Sequence, residues 1–148
     1  MRDIRLLDAP FFPGALIGPF SNANPGLGGV CTFVGEVRSD TGVEALELSH
    51  YAPLTLPGMH QLADAAFERF TLMGLLMVHR VGMMRPGEPI VCVSAAALHR
   101  RDALGAVDFC MDHLKSAAWF WKREKRADGW HWIEPRAQDH EDLARWQG

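Results

Sequence analysis

Every lysine of the chain falls in one eleven-residue stretch, KSAAWFWKREK (115–125), while twelve arginines are spread along all 148 residues. Where only surface charge is needed the chain uses Arg, so Lys115, Lys122 and Lys125 suggest a task an arginine cannot perform. An ammonium group can be driven toward neutrality by burial, and it can then pass a proton or attack a carbonyl. Trp119, Phe120 and Trp121 lie between these lysines. Strand alternation sends Phe120 and Trp121 to opposite faces, and packing of both, Trp121 included, is expected to hold Lys122 partly desolvated.

A second set of residues is basic. Arg38 ends an apolar run, and His99-Arg100-Arg101 stands between another apolar run and a helical period. Strand ends and helix starts present side chains and free backbone N–H groups to an anion. Arg grips a phosphate as a bidentate fork, and His adds a donor. Paired arginines are equally common as solvated surface charge, and pattern alone leaves both readings open. His79-Arg80 closes a further run and reads as structural, outside the site. Cys31 and Cys92 lie in apolar runs and read as inert buried thiols. The motifs of metalloproteases, serine hydrolases and P-loop enzymes are absent from the sequence, and GLGG (26–29) reads as plain loop.

The elements that must position these groups follow from periodicity. DIRLLDAPF reads as a first strand or extended arm, and SNANPGLGG (21–29) as a loop. GVCTFVGEVR (29–38) reads as a buried strand, SDTG (39–42) as a turn and VEALELSHY (43–51) as the second arm of a hairpin. From Pro57 the period becomes helical, with Met59, Leu62, Ala63, Ala66, Phe67 and Phe70 on one face. LLMVHRVG (75–82) and PIVCVSAAA (89–97) are apolar strands. A second helix begins near Arg101, with Leu104, Val107, Met111 and Leu114 inward and Lys115 at its end. FWKREK and GWHWIE flank the Ala127-Asp128-Gly129 turn of a hairpin, and the polar tail from Ala137 suits a last short helix. Six or seven strands in adjacent pairs, with two main helices, make an α+β fold with a mostly antiparallel sheet.

Length and a 48% hydrophobic composition fit one domain spanning 1–148. A formal charge of −3 and a pI near 6.1 argue against a nucleic-acid binder. Three widely spaced cysteines suit a reducing cytosol. No apolar run approaches the roughly 18 residues of a membrane span, so a cytoplasmic protein with no membrane contact is expected. Neither a metal nor a cofactor is implied.

Seven segments occur in order: FVGEVR (33–38), HRVG (79–82), PGE (86–88), AAALHRRDAL (95–104), MDHLK (111–115), WKRE (121–124) and DGWHWIEPR (128–136). Together they resemble the large, catalytic subunit of molybdopterin synthase over about residues 28–136. The resemblance implies an α+β hammerhead fold and a central homodimer, with a small ubiquitin-like subunit at each end of a heterotetramer. That small subunit carries a thiocarboxylate on its C-terminal glycine, and the enzyme moves two sulfurs onto cyclic pyranopterin monophosphate to form the dithiolene of molybdopterin.

The family's substrate-contacting positions fall on Glu36, Val37 and Arg38, on His99 and Arg100, on Lys115, on Lys122, Arg123 and Glu124, and on Arg136. The resemblance makes Lys115 and Lys122 the catalytic pair, and gives Arg38, His99 and Arg100 the phosphate. Two positions depart from the family. Trp119 stands where relatives carry Pro, and Glu36 where a basic or neutral residue is usual. Two other readings compete: a non-catalytic module of this fold that holds a ubiquitin-like tail, and an RNA-binding domain. Joint retention of Arg38, His99, Arg100, Lys115 and Lys122 argues against the first, and net charge against the second.

Overall fold

The computed structural model describes every residue except 27, 40, 41, 118 and 148. Its elements are β1 (Arg2–Leu7), α1 (Pro13–Ala23), β2 (Gly29–Glu36), β3 (Ala45–His50), α2 (Ala52–Arg69) and β4 (Gly74–Arg80), followed by β5 (Gly82–Met84), β6 (Pro89–Ala97), α3 (Arg100–Lys115), β7 (Phe120–Arg126), β8 (Gly129–Ile133) and α4 (Ala137–Ala144). They form two four-stranded sheets, ordered β1-β4-β6-β2 and β5-β3-β7-β8. Only β1–β4 is parallel; the other pairs are antiparallel.

The first sheet is covered on both faces, which is why β4 is apolar at nearly every position. Alternation sends Leu75 and Met77 of β4 and Val93 and Ala95 of β6 against α2 and α3. Leu76, Val78, Cys92 and Ala96 face the other way, onto Phe11 and Phe20 of the α1 region. The second sheet has one packed face, built on Leu46, Leu48 and Met84 with Val37 and Val81 beneath them. His79 and Phe120 stack where the two sheets meet, with ring centroids 4.2 Å apart.

Several expectations are corrected. GVCTFVGEVR and VEALELSHY do not form a hairpin: β2 is an edge strand of the first sheet and β3 lies inside the second. As an edge, β2 leaves Val30 and Phe33 exposed and is not a buried strand. Residues 21–23, expected as the start of a loop, instead end a helix that begins at Pro13 and runs through Pro19, because Phe20 is buried and Leu16 and Ile17 pack beside it on the sheet. The helix expected from Pro57 starts at Ala52, with Pro53 in its first turn and Pro57 inside it. Leu104, expected on the inner face of α3, is 54% exposed, and Trp121, expected to pack, is 50% exposed. The SDTG turn falls partly on residues 40 and 41, and GLGG partly on residue 27, so both lie outside the described residues.

Candidate active site

α3 packs an apolar stripe, including Ala103, Ala106, Val107, Cys110 and Leu114, against β6 and β2, which fixes the direction in which its last residue emerges. That residue is Lys115. The chain then turns back and enters β7, where alternation points Phe120, Lys122 and Glu124 to one face and Trp121, Arg123 and Lys125 to the other. Lys122 and Lys115 thereby share a cleft of about 340 Å³ between the sheets. Glu36, Val37 and Arg38, running off the end of β2, form one wall, and Arg136 with Asp139, at the start of α4, forms another.

Both lysines are held below the usual lysine value. For Lys115 the largest cause is desolvation, followed by repulsion from Lys122; Asp139 opposes these, and Arg38 and Arg136 add to them. Water reaches the Lys115 side chain, yet the protein packed around its amine is dense enough for desolvation to dominate. Lys122 is lowered chiefly by desolvation, with Asp139 and Glu124 raising it and Arg136 and Arg38 lowering it. Asp139 is the counter-charge of this group. It is 7% exposed and accepts from the Arg136 backbone at 3.0 Å and from its guanidinium at 3.1 Å.

A smaller chamber of about 90 Å³ continues from the cleft behind the two lysines, with apolar walls from Leu48, Leu114 and Phe120 and with His79 at its side. His79, which the sequence reads as structural, thus lines the site, and Asp139 joins it without a sequence motif. A histidine is the first polar residue after four apolar ones in LLMVHRVG, and an acid three residues after Arg136 opens a helical turn; those were the only signals available.

The structure does not gather all the expected residues. Arg123 lies on the outer face of β7, donating to Glu47 at 2.7 Å with its guanidinium 4.3 Å from the Trp130 ring centroid. The strand alternation that brings Lys122 and Glu124 into the cleft excludes it. Val37 is buried wall, its backbone tied to Glu88 and Gly87. His99 caps the N-terminus of α3 and Arg100 opens it, fifteen residues before Lys115. At 1.5 Å per residue that is roughly 22 Å along the helix, so one chain does not bring them to the lysines. Lys125 is exposed and opposite Ala45. Among the described residues no His, Cys, Asp or Glu cluster is arranged for a metal, and no helix is long and apolar enough to cross a membrane.

The chain matches the MoaE protein family over residues 8–117. It is 45% identical to the molybdopterin synthase catalytic subunit of Caulobacter vibrioides, covering 97% of this chain and 96% of that one. The structure superimposes on a molybdopterin biosynthesis MoaE protein from Burkholderia ambifaria with a TM-score of 0.84 at 38% identity, covering 100% and 99% of the two chains. Molybdopterin synthase from Staphylococcus aureus matches with a TM-score of 0.80 at 25% identity, over 90% of this chain and 98% of that one. Fold, cleft and kinship agree, and the chain belongs to the MoaE family of molybdopterin synthase catalytic subunits.

Proposed function

We propose that this chain, as a molybdopterin synthase catalytic subunit, passes sulfur from the C-terminal thiocarboxylate of a small ubiquitin-like subunit to cyclic pyranopterin monophosphate, completing the dithiolene of molybdopterin. The observation that carries the reading is the pair Lys115 and Lys122. Two amines, both lowered by desolvation, share one cleft with one buried carboxylate. A glycine tail suits such a cleft, since it threads without a side-chain clash, and capture of a terminal carboxylate is an established recognition mode. The ammonium groups offset the charge of the thiocarboxylate. The donor sulfur first bonds a pterin side-chain carbon, displacing an oxygen from it and giving a thioester. The ammonium groups then stabilise the oxyanion formed when water adds to the acyl carbon, and cleavage of the acyl C–S bond leaves the sulfur on the pterin and the tail as carboxylate. An amine lowered from the ordinary lysine value gives up a proton more readily than a free lysine. Arg38 and Arg136, which line the same cleft, are the cations this reading gives to the pterin phosphate within one chain.

His99 and Arg100 join this site only from a second copy, in the homodimer at the centre of the heterotetramer. The three free cysteines fit a cytoplasmic location, and none supplies the sulfur: burial pushes the Cys31, Cys92 and Cys110 thiols up, Cys110 to about 12.

The test is reconstitution with a thiocarboxylated small subunit and pterin substrate. Lys115→Ala and Lys122→Ala are each expected to slow transfer by roughly 10²–10³-fold, while Lys125→Ala leaves it unchanged. Near-normal turnover in the first two variants overturns the assignment, and turnover from free sulfide without the small subunit overturns the donor.

A further inference from the structure

The inner chamber contains one polar group that neither the phosphate nor the two amines accounts for. His79 is 7% exposed, at the end of a strand buried at every position. Its ring is fixed twice: it stacks on Phe120 with an interplanar angle of 21°, and its Nδ1 lies 3.0 Å from the Arg80 carbonyl oxygen. A carbonyl only accepts, so Nδ1 carries the hydrogen and Nε2 keeps its lone pair. Nε2 makes no hydrogen bond to a described residue. It is also not sealed in the protein, because the one fully buried side-chain polar atom without a partner among the described residues is Arg80 Nε. Nε2 therefore opens on the chamber, whose wall His79 shares with Lys115 and Lys122.

Resting on the sulfur-transfer reading above, we propose that His79 is a positioning residue: its neutral imidazole offers Nε2 as a fixed acceptor to the Lys115 ammonium, directly or through one water in the chamber, and so aims that ammonium at the donor's acyl oxygen. The role is that of an acceptor and not of a base. Burial, with the Lys115 charge adding to it, holds the imidazole at about 4, so it stays neutral while the lysine is charged. Of the charged groups facing it, Lys115 from α3 and Lys122 from β7 line the chamber itself. The adjoining cleft adds Glu36 and Arg38 from the end of β2, Glu124 and Arg126 from β7, Glu134 after β8, and Arg136 and Asp139 from the α4 start, while Arg80, its own neighbour, turns away to Glu88 at 2.9 Å. Among the described residues neither Lys115 nor Lys122 stands in an ion pair, both line both spaces, and Glu124, two residues along β7 from Lys122, is taken by Arg126; of the two amines it is Lys115 whose charge acts on His79.

An acceptor held at an ammonium favours the charged form, so its removal lowers the amine further. The test reads Lys115 itself by 15N NMR of its amine in the whole chain. His79→Phe, which keeps the stack on Phe120, is expected to move the Lys115 titration to lower pH. His79→Gln, which returns an acceptor near the Nε2 position, is expected to restore it. In the reconstituted complex His79→Phe is expected to lower kcat roughly tenfold or more, the scale of a hydrogen bond to a charged group. KM for the small subunit should be unchanged, and the alkaline limb of the pH–rate profile should shift with the amine. A His79→Phe protein in which Lys115 titrates as in the unsubstituted chain overturns the proposal, even if its activity falls. Should that variant not fold, the unsubstituted protein decides: its His79 must show the Nδ1–H tautomer above pH 6, and an Nε2–H tautomer overturns the proposal. If the transfer reading fails instead, the unsubstituted complex moves no sulfur while the NMR coupling remains, so the two failures are distinguishable.

Discussion

At Lys115 and Lys122 stability and function pull in opposite directions. Both amines lose solvation on folding and each faces other cations across the cleft, so folding lowers them from the ordinary lysine value of 10.5. Between the folded value and 10.5 the unfolded chain binds more protons, and stability climbs with pH; below the folded value the full penalty is present. At neutral pH the charged lysines therefore destabilise the fold. Replacing one by an apolar chain of similar length removes a partly desolvated charge and leaves Asp139 with Arg136 as its partner. Lys115→Met and Lys122→Met are each expected to raise Tm at pH 7 while abolishing transfer. Thermal unfolding at pH 7 and at pH 10 checks this, with the gain over the unsubstituted chain shrinking at the higher pH. A lower Tm in both variants would mean that the lysines stabilise the fold. The restriction of Lys to one segment was legible because the order of residues alone displays it. The displacement of Arg123 was not, because it depends on which face of β7 meets the cleft. Nor was the part played by Asp139, because a counter-charge is defined by what folds against it.

Elements with a strong local period or turn signal were legible: α3 with Lys115 at its end, the apolar β4 and β6, and the β7–β8 hairpin about Asp128-Gly129. The errors lie where long-range contacts override local signals. α1 carries two glycines and Pro19, which favour a loop, but packs Phe20 on the sheet. β2 and β3 look like adjacent arms because sequence cannot display the change of sheet between them. α2 begins early because Tyr51 and Thr55 anchor its first turn: Thr55 Oγ1 donates to the Tyr51 carbonyl at 2.9 Å, and the Tyr51 N–H donates to the Trp119 carbonyl at 3.1 Å. That last bond ties α2 to the segment that leads into Lys122. Gly58 completes the joint, since a Cβ there would stand 2.2 Å from the Trp119 indole. An alanine in a helix interior normally gains about 1 kcal/mol over glycine. Here it must displace a large ring, at a cost of about 1–3 kcal/mol. Gly58→Ala is therefore expected to lower Tm and, by shifting Trp119, to slow transfer. Gly14→Ala, where nothing lies within 4 Å, is the control. Unfolding curves and turnover for both variants check the sign, and an unchanged Tm for Gly58→Ala would show that the indole moves freely.

Over the whole molecule the charges are segregated. A chain of formal charge −3 sets Arg38, Lys115, Lys122, Arg126 and Arg136 around one cleft, against Glu36, Glu124, Glu134 and Asp139, while His99, Arg100 and Arg101 stand at the far end of α3. A packed helix is rigid, so the roughly 22 Å between Arg100 and Lys115 does not close within one chain. If both act on one pterin, two copies must supply them, and a two-fold axis then makes two equal sites, each mixed. Lys115→Ala and Arg100→Ala chains are expected to be nearly inactive as separate homodimers. When the two are co-expressed and assembled at random, half of the dimers are heterodimers. In each of these one site has both defects and the other has neither, so about a quarter of full activity returns. Sites contained within one chain give no such return, because every chain then carries a defect in its own site. Turnover of the mixture, with tagged chains to measure the heterodimer fraction, distinguishes the two. Activity that tracks that fraction supports a shared site. Activity that stays at the level of the separate variants leaves Arg38 and Arg136 as the phosphate's cations and removes His99 and Arg100 from the site.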